Sequence, residues 1–118
     1  MSYTKETGNY GEDLATAWIV NKGYLIIERN WRHKHWEVDI IASKENKLHF
    51  FEIKTRTSAI FGHPEESIGK RKMQSLLRAA EEYQYQNQQW KFLQIDVLSI
   101  TMIKGKPVEY FLIEDIYF

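Results

Sequence analysis

Residues 50–56, with the sequence FFEIKTR, combine the side chains of a β-strand with a charge at every second position. Aromatic and β-branched residues favour a strand, and successive side chains of a strand point to opposite faces. Glu52, Lys54 and Arg56 would therefore lie together on one face of a strand that is otherwise rich in large apolar residues. A chain that folds around such a strand needs a place, close to its core, where a carboxylate and two cations are tolerated.

The overall composition is typical of a globular protein with one core. The chain has 118 residues, of which 43% are hydrophobic and 27% are charged, so we expect a single domain spanning residues 1–118 and not a disordered chain. It contains no cysteine, which excludes disulfides and thiolate zinc sites. The 16 basic and 16 acidic side chains cancel. This balance argues against coating nucleic acid by charge alone, but it allows a local basic patch.

Neither a membrane span nor a secretion signal is expected. The sequence has no run of about 18 apolar residues, the length that crosses a bilayer. The first residues, MSYTKETGNY, are polar and lack the apolar core of a signal peptide. We therefore expect a cytoplasmic protein with no membrane partner.

The periodicity of the apolar residues predicts an α/β fold with seven elements in the order α-β-β-β-α-β-β. The predicted helices span 10–21 and 65–86, and the predicted strands span 24–31, 35–42, 47–56, 91–103 and 108–114, with a loop over 57–64. This order favours a mixed five-stranded sheet flanked by helices. Regular alternation in the second strand would place Trp36, Val38 and Ile40 on one face and Glu37, Asp39 and Ile41 on the other.

The second and third strands form a hairpin if the turn lies at residues 45–46. Asp39 then lies opposite Glu52, and Glu37 lies opposite Lys54, with Cβ atoms about 4.5–5.5 Å apart. Two opposed carboxylates repel each other, whereas Mg²⁺ between them would reverse the sign of the interaction, since this ion takes oxygen ligands. Lys54 would stand beside such a metal and could support the attack of water on a phosphate. The alternative is a solvated face on which Glu37 and Lys54 form an ordinary cross-strand ion pair.

Four segments of the chain carry a resemblance to a known family. They are GNYGEDLATAWIVNKGYLIIERNWR, EVDIIA, LHFFEIKTR and FLQIDVLSI, and in this order and spacing they resemble the YraN-like family of small bacterial proteins. An acidic residue in a first helix, an Asp in a strand and Glu-x-Lys in the next strand are similar to the PD-(D/E)xK nuclease superfamily, which includes Holliday junction resolvases. The chain departs from the literal motif in one place, because Val38 and not a proline precedes Asp39.

The resemblance implies a restriction-endonuclease-like core and a set of site residues. Asp39 and Glu52 would be the metal-binding carboxylates, the backbone carbonyl of Ile53 a further ligand, and Lys54 the catalytic lysine. Glu12 would approach the metal from the first helix, or would be a first-turn acid that the helix dipole favours. The implied activity is a Mg²⁺- or Mn²⁺-dependent endonuclease that acts on DNA, with branched DNA as one substrate class and a homodimer as the arrangement that resolvases use.

Basic residues near this site are the candidates for contact with nucleic acid. They are Arg29, Arg32, Lys34, Arg56, Lys70, Arg71 and Lys72. Trp31 and Trp36 interleave with the first of them, as in surfaces that combine phosphate contact with base stacking. The alternatives are a solvated turn around residues 32–35 and, for the cations at the start of the second helix, pairing with the acidic residues at 65–66.

Three further polar residues carry weaker signals. Asp96 lies in a predicted core strand, where a buried carboxylate needs a partner, so it is expected to anchor an arginine or a backbone turn. His63, in the predicted loop, is a candidate general base, and the histidines of the segment 33–35 are a weak metal signal without cysteine. Two other functions stay open at this point: a nucleic-acid-binding module with little or no catalysis, and a small interaction domain whose hairpin charges are structural.

Overall fold

A computed structural model of the chain describes residues 5–57 and 69–116. It contains the seven expected elements in the expected order: α1 (Lys5–Asn21), β1 (Leu25–His33), β2 (Trp36–Lys44), β3 (Lys47–Arg56), α2 (Lys70–Gln86), β4 (Phe92–Thr101) and β5 (Glu109–Ile113). The five strands form one sheet in the order β1-β2-β3-β4-β5. β3 and β4 are parallel and the other pairs are antiparallel. The predicted α/β class with a mixed five-stranded sheet is confirmed.

The element boundaries differ from the predicted ones by a few residues. α1 begins at Lys5 and not at residue 10, although the glycine and asparagine in KETGNY have weak helix propensities. β1 continues to His33, which pairs with Trp36 across a two-residue turn. Residues 58–68 lie outside the described part of the chain, and with them His63, the acidic residues at 65–66 and most of the predicted loop.

The β2–β3 hairpin has the predicted register. Its pairs run from Lys44 and Lys47 at the turn to Ile40 and Phe51, so opposed residue numbers add to the same value as in the prediction. Both turn residues, at 45–46, have left-handed backbone angles, with φ of 52° and 64°, as in the type I′ turns that favour two-residue hairpins. The backbone ladder ends at Ile40 and Phe51, one position before Asp39 and Glu52.

The two helices cover opposite faces of the sheet. On one face, Phe50 of β3 packs against Leu76 and the other apolar residues of α2. On the other face, Phe51 packs against Ile19 and its neighbours on α1. β3 is therefore buried on both faces, and this is why its apolar side chains occupy consecutive positions. No helix in the described ranges is long and apolar enough to cross a membrane.

The expected alternation along β2 is wrong after Asp39, where Ile40 and Ile41 each lie on the face opposite to the expected one. Val38 belongs to the core under α2, together with Trp36, whereas Ile40 belongs to the core under α1. Residues two apart in a regular strand share a face, so the alternation is interrupted between them, at Asp39. Asp39 is thus the position at which β2 changes the face that it presents to each helix.

β1 has a matching irregularity directly opposite. Its residue at this level is Asn30, whose φ of 55° is left-handed, a conformation that asparagine adopts more readily than most residues. On either side of it, Arg29 forms an ion pair with Asp13 of α1, whereas Trp31 packs against Tyr83 of α2. Both strands therefore change face at the same level, and this irregularity lies next to the end of the hairpin ladder.

Gly11 sets the distance between α1 and the end of β3. A Cβ atom at this position would overlap the side-chain oxygen of Thr55, so only glycine allows the helix to lie this close to the strand. Gly11 is buried, and the residue after it is Glu12. The close approach therefore places Glu12 beside the carboxylates of the hairpin.

We expect Gly11→Ala to destabilise the protein by about 1–3 kcal/mol, the usual range for overpacking. The same substitution in a Thr55→Ala background should be neutral or should stabilise by up to about 1 kcal/mol, since alanine is the better helix former once the overlap is gone. Urea unfolding of the four variants of this cycle measures both effects. Equal effects of Gly11→Ala in the two backgrounds would show that the contact with Thr55 does not set the distance.

Candidate active site

A polar cleft opens where β2 and β3 separate beyond the last pair of the hairpin. Its volume is about 390 Å³, and its lining residues come from α1, β2 and the end of β3. They are Glu12, Glu37, Asp39, Glu52, Ile53, Lys54 and Thr55. The structure therefore brings together Glu12, Asp39, Glu52, Ile53 and Lys54, the residues that the resemblance implied as catalytic or metal-binding. The histidines at 33 and 35 do not line the cleft, and His63 lies outside the described residues.

Asp39 is held by a main-chain hydrogen bond from the neighbouring strand. The backbone N–H of Ile53 donates to the Asp39 carboxylate with an N–O distance of 2.8 Å. The carboxylate thus takes the place of the β2 main chain as the acceptor for this N–H, and the two strands separate without leaving a buried donor unpaired. This bond fixes the carboxylate of Asp39 beside that of Glu52.

Glu52 is buried and has two cations around it. Only 5% of the residue is exposed. Lys54 Nζ lies 3.8 Å from its Oε2 atom, and Lys72 Nζ, from the first turn of α2, lies 3.6 Å from its Oε1 atom. A carboxylate at this depth needs such partners, because an unpaired buried charge is strongly unfavourable.

Burial and mutual repulsion disfavour the ionised forms of the two opposed carboxyl groups. Burial, and then the charge of Glu52, raise the pKa of Asp39 to about 7, against the opposing effects of the Ile53 amide and of Lys72. Burial also raises the pKa of Glu52. The two groups lie close enough for each to affect the pKa of the other, so at neutral pH the pair can hold one proton. A divalent cation between the carboxylates would take the place of that proton.

Glu12, on α1, lines the same cleft as the carboxyl groups of Asp39 and Glu52. It lies in the third turn of α1, which excludes the alternative of a first-turn acid favoured by the helix dipole. Its side chain is 21% exposed and lies 3.8 Å from Arg29 Nη2. Burial, followed by the charge of Asp39, raises the pKa of Glu12, while a hydrogen bond with the side chain of Asn30 lowers it. The predicted inward orientation of Glu12 is thus confirmed, and Asn30 is its partner.

The residues present fit a hard divalent cation that keeps part of its water shell. Within residues 5–57 and 69–116, no three His, Asp or Glu side chains lie close enough together to form a complete cage. Mg²⁺ does not require one, since it commonly uses one or two carboxylates together with water and substrate phosphates. Asp39 and Glu52 supply the two carboxylates, and the main chain at Ile53 borders the same cleft.

The arginines of β1 are engaged in ion pairs. Arg29 Nη2 lies 3.0 Å from the carboxylate of Asp13, and Arg32 Nη2 lies 3.1 Å from that of Glu37. Glu37 is thus paired with β1, and the expected alternative of an ion pair between Glu37 and Lys54 is replaced by one between Lys54 and Glu52. The two arginines are held at the border of the cleft by acidic neighbours.

The remaining basic candidates lie around the same end of the molecule. Lys34 is exposed in the β1–β2 turn, and Lys70 and Arg71 are exposed at the start of α2. Arg56 is half-buried at the end of β3. Lys72, the next residue of α2, forms an ion pair with Glu52, which lines the cleft.

Two contacts of the site were not predicted from the sequence, those of Asn30 and of Lys72. Asn30 reads as one more polar residue in a strand, although asparagine is among the residues that most readily adopt a left-handed backbone. Lys72 was expected to contact phosphate, and nothing in the sequence indicates its contact with Glu52, because the two residues are far apart along the chain and meet only after α2 packs on the sheet.

Asp96 has the structural role that its burial suggested. It is fully buried and accepts hydrogen bonds from the amide of Gln94 and from the backbone N–H of Asp115, and one of its oxygens lies 2.8 Å from Nδ1 of His49. The predicted anchoring of a backbone turn is confirmed, with His49 in the place of an arginine. This network lies away from the cleft, at the other end of β3.

Replacing Asp39 by asparagine should stabilise the metal-free protein at and above neutral pH. The folded-state pKa of Asp39 is about 7 against an ordinary value of 3.8, so between these pH values the folded protein binds more protons than the unfolded chain. Stability therefore falls as the pH rises through this window. Asparagine carries no charge and keeps an oxygen for the Ile53 N–H.

The measurement is the free energy of unfolding by urea in metal-free buffer for Asp39→Asn, for the wild type and for Glu109→Gln, which alters an exposed acid on β5. The stability of Asp39→Asn relative to the wild type should increase from pH 4 to pH 7, whereas that of Glu109→Gln should stay nearly constant. A constant difference for Asp39→Asn would mean that its carboxyl group has no raised pKa.

Comparison with known proteins identifies relatives in bacteria. The model of the uncharacterised protein family UPF0102 matches residues 11–100, which include the whole of the cleft. A UPF0102 protein of Flavobacterium psychrophilum is 35% identical over 119 residues, covering 100% of this chain and 98% of its own. One from Bacteroides thetaiotaomicron is 43% identical over 82% of this chain and 75% of its own. One from Syntrophomonas wolfei is 38% identical over 86% of this chain and 90% of its own. The chain therefore belongs to UPF0102, the YraN-like family, which is related to the nuclease-like superfamily.

Proposed function

We propose that this protein is a divalent-metal-dependent endonuclease that hydrolyses phosphodiester bonds in DNA. The observation that carries the proposal is the pair of opposed carboxyl groups, half-buried Asp39 and buried Glu52, with Lys54 beside Glu52 in an open polar cleft. A purely structural site would gain stability from apolar residues or from fully paired charges. Here burial raises the pKa of both carboxyl groups, as is often found at functional sites.

The carboxylates and the lysine have separate roles in this proposal. Asp39 and Glu52 would hold a Mg²⁺ or Mn²⁺ ion, with the backbone carbonyl of Ile53 as a further ligand and Glu12 on the open side. When bound, such an ion polarises a phosphate oxygen and lowers the pKa of a coordinated water. The ammonium of Lys54, next to Glu52, donates hydrogen bonds to the phosphate oxygen on which negative charge develops.

The cations around the cleft would hold the substrate. The cleft itself is acidic and the net charge of the chain is zero, so a polyanion must be attracted locally. Lys34, Lys70 and Arg71 are exposed, and Arg56 is half-buried at the end of β3, so all four can contribute. Only a few phosphates can be neutralised at once, and we therefore expect a modest affinity. For duplex DNA, the logarithm of the binding constant should fall by about 0.9 per phosphate contact for each tenfold rise in salt concentration.

Metal binding should depend on Asp39 and on pH. Mn²⁺ must displace the proton that the carboxyl pair shares, so its affinity should rise as the pH passes through the Asp39 pKa of about 7, and binding below this pH should release up to about one proton. Titration calorimetry in two buffers of different ionisation enthalpy measures both quantities. Asp39→Asn and Glu52→Gln should bind at least tenfold more weakly, on the order of the loss of one ligand, whereas Glu109→Gln should bind like the wild type. Equal Mn²⁺ affinity in all four proteins would rule out a site at the pair.

Lys54→Met should separate metal binding from catalysis. The variant should keep Mn²⁺ affinity within a few-fold but cleave DNA roughly a hundredfold more slowly, the scale of losing one oriented donor in the transition state. Lys91→Met, an exposed cation before β4, is the control that changes the charge by the same amount. Cleavage is followed on duplex, branched and single-stranded DNA with Mg²⁺ or Mn²⁺. If the wild type binds these DNAs but cuts none of them, the protein is a binding module and the proposed reaction is wrong.

A further inference from the structure

Glu52 has two lysines as partners although one cation is enough to neutralise it. Lys54 approaches Oε2 at 3.8 Å from the same strand, and Lys72 approaches Oε1 at 3.6 Å from α2. The lysine of the strand belongs to the proposed catalytic set. The lysine of the helix has no role in that set, so its position at the centre of the site needs a separate explanation.

The position of Lys72 is unfavourable for its own helix. It is the third residue of α2, and a cation in the first turn opposes the helix dipole. The contact with Glu52 offsets this effect. The charge of Lys72 also acts on Asp39, where burial and Glu52 raise the carboxyl pKa and Lys72 lowers it. Lys72 therefore contacts Glu52 directly and also acts on Asp39 through its charge, at a place where the two carboxylates would attract a divalent cation.

We propose that the Lys72 ammonium is a built-in counter-cation of the carboxylate pair, which leaves Glu52 when a divalent ion binds and then contacts a phosphate of the substrate. This inference rests on the proposed function. An ammonium and a divalent ion that share one carboxylate would lie within a few ångströms of each other and repel. The side chain of Lys72 is 43% exposed, so it can turn towards the solvent, where the phosphate next to the metal is its natural partner.

A fixed ion pair would behave in the opposite way. If Lys72 only supported the conformation of Glu52, its removal would loosen the ligand and weaken metal binding. If it competes with the ion, its removal strengthens metal binding and weakens the binding of DNA. The direction of the change in metal affinity therefore separates the two roles, and it does not depend on activity.

The experiment compares the wild type with Lys72→Met, Lys72→Arg and Lys70→Met by titration calorimetry with Mn²⁺. Methionine and lysine have similar helix propensities, and unchanged thermal unfolding verifies that the variants fold. Lys72→Met should bind Mn²⁺ roughly three- to tenfold more tightly, the effect of removing one partly screened like charge. Lys72→Arg should keep the affinity of the wild type. Lys70→Met is the control. It removes the same charge from the same turn of α2, at a position with no ion pair to the described residues. Its affinity for Mn²⁺ should stay within twofold of the wild type.

The second arm measures binding to duplex DNA by fluorescence anisotropy over a salt series, with Ca²⁺ in place of Mg²⁺ to prevent cleavage. Lys72→Met should bind more weakly, with a salt dependence reduced by about one phosphate contact, and Lys72→Arg should restore it. If Lys72→Met binds Mn²⁺ no more tightly than the wild type, the counter-cation role is wrong while the metal site stands. If it binds Mn²⁺ more tightly but DNA equally well, the transfer to phosphate is wrong. If none of the proteins binds Mn²⁺, the proposed function fails and this inference fails with it.

Discussion

The hydrogen bond from the Ile53 N–H to the carboxylate of Asp39 is the interaction on which the site depends. The hairpin ladder ends at the pair before it, and a side chain takes over where the main chain of β2 stops. The strands can then separate, which opens a cleft without leaving a buried amide unpaired. The same bond holds Asp39 next to Glu52, so a single contact sets both the shape of the cleft and the spacing of its carboxylates.

The local structure around this bond works against stability. A buried and a half-buried carboxyl group lie side by side, Asn30 has a left-handed backbone, and β1 and β2 change face at the same level. Each of these features is unfavourable, and natural proteins keep such features mainly where they serve a function. The charge of Lys72 favours the ionised form of both carboxyl groups. A bound cation would do so more completely.

Most of the fold could be predicted from the sequence because its signals are local. The hairpin is fixed by the alternation in FFEIKTR and by the turn at 45–46, whose two residues are the whole connection between β2 and β3. The register follows from them without knowledge of the rest of the chain. The predicted opposition of Asp39 and Glu52 is a consequence of that register. The helix and strand order follows in the same way from the spacing of apolar residues.

What the sequence did not indicate depends on contacts between distant parts of the chain. The change of face at Asp39 needs the left-handed backbone of Asn30 on the neighbouring strand, and the contact of Lys72 with Glu52 needs α2 to be packed on the sheet. The close approach of Gly11 to β3 likewise follows from packing and not from propensity. Asp39, Glu52 and Lys54 of the cleft were thus predictable, whereas the residues that position them were not.

The central claim is that the carboxylate pair exists to hold a divalent cation. The most direct measurement is the anomalous diffraction of Mn²⁺ in crystals of the wild-type protein grown above pH 7, where the Asp39 carboxyl group is ionised. We expect one strong peak within about 2.0–2.3 Å of oxygens from both Asp39 and Glu52, with Lys72 Nζ farther from Glu52 than 3.6 Å, the distance found here. A crystal saturated with Mn²⁺ in which no peak lies between the two carboxyl groups would contradict the central claim.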